Sequence, residues 1–148
     1  MSIAWRLRSE MRAFHAFTVS NCFSVEELAK IKELAAPLPI SEPLVLKFEN
    51  QQADIPKLDQ KTRVCGIKWV YPTEDAKWLY MRLVGVVNKI NAEIFNLKLF
   101  GIEELQYTMY NEESRGFYSA HRDTKSNAEF GLMRKLSFSL QLTEPSEY

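Results

Sequence analysis

His121 and Asp123 stand one residue apart in the stretch GFYSAHRDT. On a strand or at its exit, side chains two positions apart project to the same side, because the period is two. An imidazole nitrogen and a carboxylate oxygen aimed at one point are two of the three donors of the facial triad that holds non-haem Fe(II). The third donor of that set is a second histidine, expected later in the chain. The sequence holds two histidines, His15 and His121, and none follows His121 within its 148 residues.

The elements around this pair must be strands and tight connections. Leu105, Tyr107 and Met109 alternate with Gln106, Thr108 and Tyr110, which predicts a strand. Residues 111–116 are polar and glycine-terminated and read as a turn. Residues 117–123 form the next strand and its exit, and 124–131 a polar loop. In 135–143, Leu136, Phe138, Leu140 and Leu142 share one face, and Ser137, Ser139, Gln141 and Thr143 the other. That pattern predicts a half-buried strand. A hydroxyl- and amide-lined inner wall suits a small anionic cosubstrate, and the same alternation equally fits a face turned to solvent.

Upstream, residues 11–19 (MRAFHAFTV) read as a strand, and His15 within it reads as a packed or half-exposed side chain rather than a ligand. Ser24 and Glu27 form a capping box that starts a helix over about 25–36, with Leu28, Ile31, Leu34 and Ala35 on its inner face and Pro37 as its stop. Pro37, Pro39 and Pro43 stiffen the connector that follows; 44–48 is a short strand and 50–61 a polar surface loop. Residues 63–71 (RVCGIKWVY) are a strand ended by Pro72. A long helix is expected over about 74–95, with Trp78, Leu79, Leu83, Val86, Val87, Ile90 and Ile94 on one apolar face and Asn96 or Gly101 closing the region. Such a stripe is core, and it should lie across the outside of the sheet.

Composition narrows the class. Hydrophobic residues make up 46% and charged residues 26%, and 19 Lys plus Arg balance 19 Asp plus Glu. These are values of an ordinary globular domain, with one core and no electrostatic case for nucleic acid or a membrane surface. Cys22 and Cys65 are too few and too far apart for a disulfide scaffold or a thiolate zinc site. The basic N-terminal stretch leads into no apolar run, and no stretch has the ~18 apolar residues of a membrane helix. The expectation is a single cytoplasmic domain spanning 1–148.

Three blocks, LQYTMY, GFYSAHRDT and RKLSFSLQLTEPSEY, carry a resemblance to the prolyl-4-hydroxylase-like branch of the 2-oxoglutarate and Fe(II)-dependent dioxygenases, best to its bacterial peptide-hydroxylase-type subgroup. A looser similarity extends through RVCGIKWVYPTEDAKWLY and back to the Ser24 helix. The resemblance implies an α+β fold, a double-stranded β-helix (jelly-roll, cupin-like) with supporting helices in 1–100 and the start of the β-helix in 101–148. It implies Fe(II) as cofactor, 2-oxoglutarate as cosubstrate, sometimes with ascorbate, and a peptide or protein side chain as substrate. His121 and Asp123 match the first two iron ligands. Tyr110 matches a tyrosine that hydrogen-bonds 2-oxoglutarate, and Gln141 takes a position where relatives often carry a tyrosine on its distal carboxylate. Ser137 and Thr143 fall on the same inward face, and Arg134 matches a basic residue near the substrate entrance, a place where a solvated arginine also fits. Tyr118 and Arg122 read as packing and surface.

In that family a Gly-Gly turn follows the last block, and the second histidine and the Arg or Lys that pairs with 2-oxoglutarate come later still. The expectation is therefore a chain that stops half-way through the β-helix, either an excerpt of a longer enzyme or a natural truncation, with Glu144 or Glu147 as a weaker substitute ligand. Two further readings belong to other classes. One is an inactive jelly-roll remnant that binds a partner or a second copy through an open sheet edge. The other is a cupin-type metal site without oxygenase activity.

Overall fold

The computed structural model describes residues 18–45, 48–49, 52–53, 57–121, 126–127, 132–144 and 146. Ser24 starts the first helix, α1 (Val25–Ala35), through the expected capping box: its hydroxyl accepts from the Glu27 N–H at 3.2 Å, and Glu27 accepts from the Ser24 N–H at 2.8 Å. That backbone bond, together with Arg82, holds the Glu27 carboxyl below its ordinary pKa. The C-terminal end is closed by a side chain from the sheet. Lys68 donates to the carbonyls of Ala35 at 3.0 Å and Ala36 at 2.8 Å, satisfying acceptors that the helix leaves without partners.

Past the proline-rich connector, β1 (Leu44–Val45) pairs antiparallel with β4 (Lys57–Leu58), and β2 (Phe48–Glu49) with β3 (Gln52–Ala53). The stretch read as a surface loop over 50–61 thus carries the returning strands of a β-hairpin. Its polar composition hides them, since two-residue ladders have too short a pattern to register. Asp59 then turns the chain: its carbonyl accepts from the Thr62 and Arg63 N–H groups, both at 2.9 Å, and its carboxylate from the Lys61 N–H at 3.1 Å and the Thr62 hydroxyl at 2.9 Å.

The predicted strand over 63–71 is two segments, β5 (Arg63–Val64) and β6 (Gly66–Val70), broken at Cys65. Helix α2 (Lys77–Ile90) follows, beginning after a turn rather than at 74, and the chain runs on from it into a π-helix over Asn91–Phe95. Asn96 ends it in the left-handed region (φ 48°), and the Asn91 side chain grips the Leu97 backbone from both sides, at 2.8 and 3.0 Å.

β6 pairs with β7 (Leu105–Met109), and β5 with β8 (Phe117–Tyr118), all antiparallel. The two later strands therefore lie end to end along the 63–70 segment, and the turn between them bulges out. That turn is tight. The Gly116 N–H bonds to the Asn111 carbonyl at 2.9 Å, the Glu113 N–H bonds to the Asn111 side chain, and Arg115 sits at φ 50°. A Cβ on Gly116 would stand 2.9 Å from the Asn111 nitrogen and 3.0 Å from the Tyr110 Cα. Farther on, β9 (Ser126–Asn127) pairs with β10 (Leu132–Met133), within and just beyond the expected polar loop.

The core lies between the helices and one face of the β6–β7 pair. Ile31, Leu79 and Leu83 cluster with Leu105 and Tyr107, and Val70, Ala76 and Tyr80 form an adjoining cluster. Burying Leu79 and Leu83 alone is worth roughly 1.5–3 kcal/mol each. The Tyr80 hydroxyl donates to the Val70 carbonyl at 2.6 Å and accepts from the Leu105 N–H at 3.3 Å, fastening α2 to both strands. Residues 135–143 form no ladder among the described residues, contrary to the strand expected there. Leu140 and Leu142 instead dock on the Ile31 cluster, while Phe138 of the same alternation is exposed, so part of the expected burial survives and the pairing does not. The strand expected over 11–19, with His15, lies outside the described residues except for Thr18 and Val19, which are not in a strand. The architecture is mixed α and β, with two α-helices and five two-stranded antiparallel pairs among the described residues.

Two substitutions test this account. Gly116→Ala should cost about 1–3 kcal/mol in urea unfolding, because backbone rather than a movable side chain blocks the new methyl. Tyr80→Phe should cost on the order of 1–3 kcal/mol by orphaning a buried donor and acceptor. Burial raises the Tyr80 pKa above its ordinary value. Its contribution is therefore complete below the unfolded-state pKa near ~10 and is lost as pH rises toward the raised value. Alkaline denaturation of Tyr80→Phe should accordingly lose that part of its pH dependence.

Candidate functional site

Cross-strand partners share a face, so the register that turns Val70, Leu105 and Tyr107 to the helices turns Ile67, Trp69, Gln106 and Thr108 the other way. On this second face lies Arg63, only 6% exposed. Its Nε donates to the Cys65 Sγ at 3.0 Å, and its Nη2 to the Gln106 Oε1 at 3.1 Å and the Thr108 Oγ1 at 3.4 Å. The guanidinium carbon stands 4.3 Å from the centre of the Tyr118 ring, and Tyr118 stacks on His121 at 3.8 Å and 18°. Tyr110 completes the group: loss of solvation raises the pKa of its hydroxyl, while the positive charge of the neighbouring Arg63 pulls the other way. The tyrosine as a whole remains 52% exposed, so the phenol joins a buried charge to the surface.

His121 is exposed, and its Nδ1 lies 2.9 Å from the Ser119 carbonyl. A carbonyl can only accept, so in this bond Nδ1 carries the proton, and in the neutral ring the lone pair falls on Nε2. That is the arrangement found in metal-binding histidines, where a backbone carbonyl fixes the tautomer and orients the ring. Ser119 is itself held by the strand register: its N–H donates to the Thr62 carbonyl at 2.9 Å and its hydroxyl to the same atom at 3.1 Å.

Two of the residues singled out from the sequence, Tyr110 and His121, thus meet around Arg63 and Tyr118. Asp123, with Arg122 and Glu147, lies outside the described residues. Ser137, Gln141, Thr143 and Glu144 are exposed. Gln141 donates to the Thr143 hydroxyl at 3.2 Å and lines an open groove of about 360 Å³ beside Thr18, Val19, Asn21, Cys22, Phe23 and Leu28. Arg134 forms a forked ion pair with Glu103, its Nε 3.0 Å from both carboxylate oxygens. Among the described residues no three His, Cys, Asp or Glu side chains are grouped to hold a metal ion.

Sequence reasoning overlooked Arg63, Gln106 and Thr108 as members of the site and left Tyr118 as packing. The alternation of 105–110 does hold a signal for the two polar strand residues, because it puts Gln106, Thr108 and Tyr110 on one face. Arg63 gave none, since a charge at the start of a strand ordinarily points to water.

Tyr118→Leu removes both the cation–π contact and the ring stack, and should cost about 1–2 kcal/mol of stability. NMR should show the His121 ring resonances shifted and broadened, whereas Tyr118→Phe should keep most of the packing and a near-native spectrum. Comparison of the chain with protein-family models, with curated proteins and with solved structures returned no match.

Proposed function

We propose that the chain carries the first part of a non-haem Fe(II)- and 2-oxoglutarate-dependent dioxygenase domain that hydroxylates a side chain, with peptidyl proline the substrate class suggested by the resemblance. On this reading the β6–β7 face opposite the helices is the inner wall of a double-stranded β-helix, and 1–148 belongs to a single domain. The observation that carries the reading is the His121 imidazole. Its Nδ1–H is turned to the Ser119 carbonyl, which orients the ring, and the Tyr118 ring lies against both the imidazole and the Arg63 guanidinium.

The donor chemistry fits iron. A neutral imidazole from His121 and the carboxylate of Asp123 are borderline and hard donors suited to Fe(II), and a second imidazole completes the set. Iron held there would activate dioxygen, the oxidant, with two of the four electrons coming from 2-oxoglutarate and two from the C–H bond that is hydroxylated. The chain's own residues bind and orient. Ser119 holds the tautomer and direction of His121, Tyr118 limits rotation of the ring, and the Tyr110 phenol offers a hydrogen bond to an oxygen of the cosubstrate. Among the described residues no helix is long and apolar enough to cross a membrane.

His121→Ala and Asp123→Ala of the protein should abolish anaerobic Fe(II) binding and reduce 2-oxoglutarate consumption to background, with circular dichroism unchanged. Turnover retained in either variant would overturn the assignment.

A further inference from the structure

We propose that Arg63 is a positioning residue for His121, acting through the Tyr118 ring that lies between them. Its consequence for metal binding rests on the dioxygenase reading. The ordering of the imidazole rests on the geometry alone.

An aromatic ring has two faces. The His121 imidazole, 3.8 Å away and within 18° of parallel, fills one face of Tyr118. A guanidinium carbon 4.3 Å from the same ring centre finds no room beside the imidazole, so it takes the other face. Tyr118 is thus held between a planar cation and a planar imidazole, and it cannot tilt without displacing one of them. Arg63 and Tyr118 are also direct cross-strand partners in the β5–β8 pair, which sets the spacing of their backbones.

A stack orients a side chain only if its far end is rigid, and here the far end is Arg63. The residue is 6% exposed. Its Nε donates to the Cys65 Sγ at 3.0 Å, and its Nη2 to the Gln106 Oε1 at 3.1 Å and the Thr108 Oγ1 at 3.4 Å. Bonds at two separate nitrogens fix the plane of a guanidinium as well as its place, which no ammonium group could match. That plane backs the Tyr118 ring through cation–π attraction. Tyr118 in turn sets the plane of His121, while the Ser119 carbonyl at 2.9 Å sets the rotation of the imidazole within it. His121 is exposed, and exposed side chains ordinarily change rotamer within nanoseconds. Plane and rotation together aim Nε2 in one direction before any ligand arrives, which lowers the ordering cost of binding.

The test is NMR of the His121 ring in the metal-free protein, with Mn(II) titration of the same variants and of His121→Ala. In wild type the imidazole protons should be shifted upfield by the Tyr118 ring current, and long-range proton–nitrogen correlations should show one tautomer with the proton on Nδ1. Arg63→Met should lose most of that shift, mix the tautomers and weaken Mn(II) binding roughly threefold to tenfold, the range of a cation–π contact. Gln106→Met leaves the charge in place and removes one anchor. It should move the same signals the same way by less, and it serves if Arg63→Met does not fold. Two Tyr118 backgrounds separate positioning from general loosening: Arg63→Met should act in full in Tyr118→Phe and have no further effect on the His121 ring in Tyr118→Leu. His121 signals indifferent to Arg63→Met and Gln106→Met, or an equal Arg63 effect in the Tyr118→Leu background, would overturn the inference. Mn(II) binding that depends on His121 and not on Arg63 removes the positioning role and leaves the dioxygenase reading standing. Loss of His121 ring order in Arg63→Met, with no Mn(II) binding by wild type, removes the dioxygenase reading and leaves Arg63 as the residue that orders the imidazole.

Discussion

The register of one antiparallel ladder governs the rest of the molecule. With Gly66 opposite Met109 and Val70 opposite Leu105, every second side chain of both strands is committed to the helices and every other one to the opposite face. A slip of one residue would exchange the two sets, putting Gln106 and Thr108 into the core and Tyr107 outside it. The helices guard against that slip with polar as well as apolar contacts. Lys68 reaches the end of α1, and the Tyr80 hydroxyl binds one backbone group from each strand. These bonds have direction and length, so they select a register that hydrophobic contact alone would select less sharply.

The freed face is where the chemistry gathers. Because β7 and β8 lie end to end along 63–70, residues far apart in the chain meet there: Arg63 from the first strand, Gln106 and Thr108 from the second, Tyr118 from the third. The turn that bulges between β7 and β8 keeps Tyr110 and Tyr118 in range of the same guanidinium. Its closure on Gly116 leaves no room for a side chain, which makes it a rigid spacer rather than a slack connection.

Hydrogen bonding and stacking give His121 a defined state although it is exposed. The Ser119 carbonyl sets the tautomer, and the Tyr118 ring sets the plane. Both constraints trace back to the ladder, since Ser119 is bonded to Thr62 and Tyr118 is paired with Arg63. A ring that must lose little rotational freedom on taking up a ligand is what an ordered binding site requires.

Much of the scaffold was legible in the amino-acid order because it depends on local chemistry. The Ser24–Glu27 capping box, the stop at Pro37, the apolar stripe of α2, the end of the helical region at Asn96 and the alternation of 105–109 all act over a few residues, and the structure has each of them. Non-local pairing was not legible. The hairpin over 44–58 was hidden in polar sequence, and the alternation of 136–142 suggested a ladder where the structure has Leu140 and Leu142 docked on helices, because period two marks an extended chain and not its partner. At the site, the types of Tyr110 and His121 could be read directly. The burial of Arg63 could not, because a guanidinium leaves water only when strands distant in sequence close over it, and that closure is decided by the tertiary fold.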